Sequence, residues 1–223
     1  MSVPKFPRSL RPVLIGSVLL ASILVPAPAG QDRPDMSQYA RHDKLKVVVP
    51  DFPAEGLILD IGGGGEGVIG QLKGRQVVAI DLIKRELEQA PGEPLLKIVM
   101  DARDLKFLDG SFATATVFFT FMYIAPEDHA KVFAELSRVL RPGGRLLVWD
   151  PVFPAKAEPG KPRIIYPLHV QLPGKAINTG YGVRIAEGQG ADHFVELAKA
   201  AGFEVLSRKD EAGWFHLELR KSG

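Results

Sequence analysis

A doubly wound α/β fold, with a mostly parallel sheet closed by a terminal antiparallel strand, is predicted by three features of the chain. Short unbroken apolar runs alternate with helical stretches, as βαβ units require. A run of glycines follows the first such strand, and the last two strand-like runs follow one another with no helix between them.

The elements read in order as follows. A polar lead-in carries a short run at residues 45–49 and a Pro-rich turn at 51–56. Residues 57–61 are continuously apolar but for Asp60, the pattern of a strand buried on both faces. Glycines 62–65, Glu66 and Gly67 then form a turn into a short helix at 68–73, and residues 76–81 repeat the strand. Residues 84–90 are helical until Pro91, Gly92 and Pro94 stop them, and 95–100 make a third strand ending at Asp101 and Ala102. The β-branched and aromatic segment 113–121 suits a central fourth strand. Residues 126–140 place Phe133, Leu136 and Leu140 on one face at helical spacing, and Pro142, Gly143 and Gly144 are expected to end that helix before a fifth strand at 145–150. A helix at 192–201 and strands at 204–208 and 214–220, parted by a polar turn at 209–213, complete the pattern. Residues 152–190, rich in Pro and Gly, interrupt the alternation and read as an insertion containing a β-hairpin. Its place is after strand five, on the side where open α/β sheets bind ligands.

At 223 residues, 46% hydrophobic and 24% charged, the chain has room for one globular domain with an appended terminus. A formal net charge of +2, with Lys and Arg scattered, gives no field for holding nucleic acid. No cysteine is present, which excludes disulfides and thiolate chemistry, and the five histidines lack metal-ligand spacing, so no metal is expected. Residues 1–30 form a separate unit: Lys5, Arg8 and Arg11, an apolar run at 13–25, then Pro26, Ala27, Pro28 and Ala29. That order reads as a signal peptide or a membrane anchor, although the run falls short of the roughly 20 residues of a spanning helix. The domain plan is therefore a leader at 1–30, a lead-in at 31–56, and one domain at 57–223 carrying the insertion at 152–190. The leader implies export or membrane attachment through residues 13–25, whereas translation from Met36 would leave the protein in the cytoplasm.

The glycine turn lets a ligand approach the backbone and aims a helix N-terminus at it. Because Gly62, Gly64 and Gly67 also satisfy G-x-G-x-x-G, the turn by itself would serve a dinucleotide equally well. Asp81 closes the second strand with two acceptor oxygens suited to ribose hydroxyls, and Asp101 ends the third at the height of an adenine. Each also has an ordinary reading as a strand-end turn former.

The stretches Leu59-Asp60-Ile61-Gly62-Gly63-Gly64, Ala79-Ile80-Asp81, Met100-Asp101-Ala102 and Leu140-Arg141-Pro142-Gly143-Gly144-Arg145 together resemble the class I S-adenosylmethionine (SAM) dependent methyltransferases, in particular the methyltransferase type 11-like group. The resemblance runs from about residue 57 to 150 and implies the Rossmann-like class I methyltransferase fold with SAM as cofactor. It implies that Asp60 with Gly62, Gly63 and Gly64 flanks the methionine moiety, that Asp81 beside Leu82 holds the ribose, and that Asp101 and Ala102 border the adenine. Two departures stand out: Ala113 follows Ser111-Phe112 where the family often has Asp, and a fourth glycine blurs the G-x-G-x-G spacing.

The expected function is methyl transfer to a small-molecule acceptor. The competing readings are a non-catalytic binding module on the same fold and an NAD-dependent oxidoreductase. A methyl sulfonium is already activated, so a catalytic base is optional; Tyr123, Asp150, Tyr166 and His169 are the groups that could face an acceptor. Each has a packing role as its alternative, and Trp214 and Phe215 read as core.

Overall fold

The computed structural model describes residues 35–223 and, from the preceding segment, only the backbone of Val18–Leu19. The leader read at residues 1–30 otherwise lies outside the described residues.

In chain order the strands are β1 (Val18–Leu19), β2 (Tyr39–Arg41), β3 (Leu45–Val48), β4 (Ile58–Ile61), β5 (Val77–Asp81), β6 (Leu96–Val99), β7 (Phe112–Phe118), β8 (Leu140–Pro151), β9 (Arg163–Leu172), β10 (Lys175–Arg184), β11 (Phe203–Glu211) and β12 (Trp214–Lys221). The helices are α1 (Val68–Lys73), α2 (Lys84–Gln89), α3 (Pro126–Val139) and α4 (Ala191–Ala200). Among the described residues no helix is long and apolar enough to cross a membrane.

Seven strands form the main sheet in the order β6-β5-β4-β7-β8-β12-β11. The members from β6 to β8 are parallel and β12 runs against both of its neighbours, the predicted architecture. The order reverses between β4 and β7, which opens a crevice at the carboxyl ends of these strands.

One face of the sheet packs on α3 and α4. Val132, Phe133, Leu136 and Val139 from α3 meet Phe194 and Ala198 from α4 over Leu59, Val117, Val148 and Leu217, all fully or almost fully buried. The other face is covered by α1, by Leu87 of α2, and by a second sheet of five strands. That sheet is built on the hairpin β9–β10, with β2 and β3 both pairing in parallel with β9. Leu45, Val47, Val49 and Phe52 of the lead-in are buried in the same core as Tyr166, Leu168 and Val170 of the insertion. The lead-in is thus part of the sandwich, although its sequence reads as mostly polar.

Pro167 lies inside β9, where its missing N–H would normally interrupt a strand. Here β2 pairs with residues 163–165 and β3 with 168–171, so the proline falls in the gap between them and faces Gly180 of β10.

One predicted boundary shifts. Leu140 leaves α3 in extended backbone and already pairs with Phe112, and the next register pair is Arg145 with Thr114. Residues 141–144, with Gly143 at φ +73°, therefore loop out within β8 instead of separating helix from strand. The polar turn expected at 209–213 shrinks likewise, because β11 runs on to Glu211.

Candidate functional site

The glycine turn joins β4 to α1 at the crevice. Gly62 adopts φ +70° and Gly67 φ +52°, and the turn is tied to its neighbours by Gly63 N–H to Ile80 O (2.9 Å) and Gly65 N–H to Glu86 O (3.1 Å). Its closeness explains the run of glycines. A Cβ on Gly63 would stand 2.7 Å from Asp60 Oδ2 and 2.8 Å from Ala79 Cβ, and one on Gly64 would stand 2.7 Å from Asp81 Oδ2 and 2.6 Å from Glu86 Cβ. The helix that follows has six residues, so the backbone cradle, and not a helix dipole as the sequence suggested, is what the turn offers.

Four carboxylates surround this cradle. Asp60 is 2% exposed and accepts a hydrogen bond from Thr116 Oγ1 (2.7 Å). Burial pushes its carboxyl up to about 7 against that hydrogen bond, and the negative charge of Asp81 adds to the rise. Asp81 accepts the Ile83 N–H (2.8 Å), and burial raises it too, opposed by the backbone N–H groups of Ile83, Gly64 and Leu82. Glu86 is raised by burial and then by the charges of Asp81 and Glu66. Glu66, inside the turn, accepts hydrogen bonds from Thr179 Oγ1 and from the Tyr181 hydroxyl (2.9 Å) on β10. Leu82 stands beside Asp81 with its side chain 64% exposed.

Asp101 and Ala102 follow β6, as the strand-end reading requires, but the Asp101 carboxylate is already engaged. Arg103 contacts both its oxygens through Nε and Nη2, and the same guanidinium reaches Asp128 at the start of α3 (2.6 Å). The side-chain hydrogen bonds of Arg103 hold Asp101 below its ordinary range. Ala102 is half-buried against the core.

Of the four residues put forward as acceptor-facing groups, the structure brings one to the crevice. Tyr123 ends the single helical turn Phe121–Tyr123 after β7, and its ring stands edge-on to Tyr181 at 6.5 Å. The other three are placed in structural roles. Asp150 is fully buried and accepts the N–H groups of Thr120 and Phe121 (3.0 Å each), so it pins the turn that carries Tyr123. Tyr166, also fully buried, donates to Val152 O (2.9 Å) and fastens β9 to the end of β8. His169 meets Asn178 Oδ1 (2.9 Å) across the hairpin, where the β9–β10 register pairs them.

Glu66, Thr179 and Tyr181 are the site residues the sequence reading missed. Glu66 stands where the regular glycine spacing breaks down, and that departure was the available signal. Nothing in the sequence of the hairpin shows that Thr179 and Tyr181 come back to it. Beside them Phe119 adopts φ +49°, alone among the described non-glycine residues, held by its N–H to Trp149 O (2.7 Å) and by packing on Phe118 and Tyr181. Such strain costs on the order of 1–3 kcal/mol and concentrates at ligand sites.

A close-fitting glycine cradle among acidic groups, with no Lys or Arg paired to Asp60, Glu66, Asp81 or Glu86 among the described residues, suits a cationic nucleoside such as SAM.

Comparison with known proteins agrees with that geometry. The methyltransferase domain family matches residues 59–148. A ubiquinone/menaquinone biosynthesis C-methyltransferase, UbiE, from Desulfotalea psychrophila is 34% identical over 142 residues, 60% of this chain, and the chain spans about half (54%) of that relative's length. A demethylmenaquinone methyltransferase from Thermus thermophilus is 35% identical over 168 residues, covering 66% of this chain and 74% of the relative. The crystal structure of a SAM-dependent methyltransferase from Methanosarcina mazei shares the fold, with a TM-score of 0.55 at 18% identity over 77% of this chain and 94% of that one. The cyclase SpnF shares it too, with a TM-score of 0.54 at 20% identity over 76% of each chain. Cradle, strand order and relatives agree: the chain belongs to the SAM-dependent methyltransferase family.

Proposed function

We propose that the protein transfers the methyl group of SAM to a small aromatic acceptor of the quinol class. The observation that carries this reading is the cradle of Gly62, Gly63 and Gly64 pressed against Asp60 and Asp81, with aromatic side chains beyond it. When bound, SAM supplies a methyl group on a positively charged sulfur, which needs little beyond in-line placement of the acceptor. The glycines admit the nucleoside, and Asp81, with two acceptor oxygens beyond the end of β5, is positioned for both ribose hydroxyls. Leu82 offers an apolar surface beside it. Adenine binding at Asp101 and Ala102 competes with Arg103 for the Asp101 carboxylate.

The half-buried Tyr123 and, behind it, the buried Phe119 and Tyr181 form an aromatic group next to Glu66 that keeps water from the site. Burial and the neighbouring charge of Glu66 push the hydroxyls of Tyr123 and Tyr181 well above their ordinary range, so both stay protonated as donors. The relatives named for ubiquinone and menaquinone biosynthesis support an acceptor of this kind.

The test is incubation of the protein with SAM carrying a labelled methyl group and a naphthoquinol unsubstituted at the ring carbon beside its hydroxyl. Label transferred to ring carbon, with the ring proton it replaces released to water and S-adenosylhomocysteine as the co-product, is the expected result. SAM bound with no transfer to that quinol, to other phenols or to a lipid extract would favour the non-catalytic module instead. The compartment follows the leader in this proposal: export, or membrane attachment through residues 13–25. Fractionation with N-terminal peptide mapping decides it, and a native protein that begins at Met36 would place it in the cytoplasm.

A further inference from the structure

Where α3 begins lies a recess of about 160 Å³, bordered by Pro126, Ala186, Glu187, Gly188, Gln189 and His193. Pro126 opens α3 just after the turn that carries Tyr123. Gln189 O accepts the Phe153 N–H (2.8 Å), and this places the recess at the carboxyl-end side of β7 and β8, where the site opens.

Two polar side chains there carry atoms with no partner among the described residues. Gln189 is 5% exposed, yet neither its Nε2 nor its Oε1 has a hydrogen-bond partner among the described residues. A buried amide of this kind is rarely left unpaired without a ligand or water to meet it. The second group is His193, and its tautomer follows from its neighbour. His129 Nε2 stands 3.1 Å from Phe121 O and 3.0 Å from Ile124 O, which can only accept, so Nε2 carries the proton. Neutral His129 then accepts at Nδ1, and His193 Nε2, 2.9 Å away, must donate to it. Burial lowers both imidazoles and favours their neutral forms. His193 Nδ1 is therefore an acceptor with no protein donor among the described residues.

We propose that this recess binds a hydroxyl-bearing ring of the methyl acceptor, with the hydroxyl donating to His193 Nδ1 and the Gln189 amide turning to pair with the same group. A carbonyl alone does not fit, because it brings no hydrogen to His193. The size agrees, since a space on the order of 150 Å³ holds a benzene ring. The uncapped first turn of α4, a ten-residue helix that begins at Ala191 after Gly190, adds free N–H groups beside it. The assignment of the ring to the acceptor rests on the proposed methyl transfer, and the hydroxyl specificity rests on the tautomers alone. Because His129 also holds the carbonyls of Phe121 and Ile124, an occupied recess is linked directly to the turn that carries Tyr123.

The experiment is an NMR titration of the full chain, with labelled His and Gln side chains, using phenol as the probe and benzene as the hydroxyl-free control. Phenol should shift the His193 ring and Gln189 amide resonances saturably at millimolar concentration, and benzene should bind at least fivefold more weakly. Gln189→Leu should weaken phenol at least fivefold while leaving the SAM dissociation constant, measured in parallel, unchanged. His193→Gln, which keeps a donor toward His129, serves as a second variant should the leucine fail to fold. Equal binding of phenol and benzene, or phenol shifts that persist unchanged in both variants, would overturn the hydroxyl site. Phenol bound in the recess of a protein that does not bind SAM would overturn its assignment to the methyl acceptor.

Discussion

Two groups of carboxylates in this molecule are treated in opposite ways. Around the glycine turn, Asp60, Glu66 and Asp81 accept hydrogen bonds only from hydroxyl and backbone N–H donors among the described residues, and burial raises Asp60, Asp81 and Glu86 above their ordinary range. Some 30 residues along the chain, Asp101 and Asp128 share Arg103, while Asp109 and Glu135 share Arg138, which also donates to the carbonyls of Leu105 and Phe107. Asp101 and Glu135 are held below their ordinary range by those arginine hydrogen bonds. The second group is neutralised internally and closes the loop between β6 and β7. The first gathers carboxyls in a partly dry place where burial favours their protonated forms, and a bound cation would favour the charged forms instead. Loss of the sulfonium charge on methyl transfer then weakens the product's hold on the same site.

Asp60 gives the largest expected effect. Its folded carboxyl titrates at about 7 and its unfolded one near 3.8, so between these values the folded state holds a proton that the unfolded state has lost. Stability therefore falls as pH rises from about 4 to about 7 and levels off above. Asp60→Asn removes the dependence, so chemical denaturation should show the variant gaining on the native protein across that window by up to about 4 kcal/mol. Parallel curves would show that Asp60 is not raised. Next in size, Asp81→Ala should weaken SAM binding by roughly 1.5–3 kcal/mol with the fold intact, the loss for hydrogen bonds to a charged group. An unchanged dissociation constant would remove Asp81 from the ribose.

Tyr181→Phe takes one of two hydrogen bonds from Glu66 and should cost about 1 kcal/mol of stability. Hydrogen exchange would show the β9–β10 hairpin opening more readily; exchange confined to α1 would place the hydroxyl outside that link. The smallest effect belongs to Arg103→Ala. Its partners are about one-third exposed, so thermal unfolding should fall by no more than about 1 kcal/mol, and SAM binding should hold or tighten as Asp101 is released. Weaker SAM binding would make Arg103 itself a ligand.

These contrasts also explain which parts of the molecule could be read from the sequence. The cradle and the ends of β4, β5 and β6 are local: a strand, a tight turn and the next residue fix where Gly63, Asp81 and Asp101 stand. The main sheet followed from its apolar runs for the same reason. The second sheet did not, since β3 and β9 are more than a hundred residues apart and pair in parallel, and Pro167 argues against a strand until the gap between β2 and β3 is seen. The link from Glu66 to Thr179 and Tyr181 belongs to that long-range assembly. Asp150 misled for a related reason, because a strand-end aspartate reads the same whether it faces a ligand or caps a buried turn.

The most direct test is calorimetric titration of the folded protein with SAM, S-adenosylhomocysteine and NAD in turn. The account predicts one saturable site for SAM and for its demethylated product, with no heat from NAD. Saturable heat from NAD and none from SAM would contradict it.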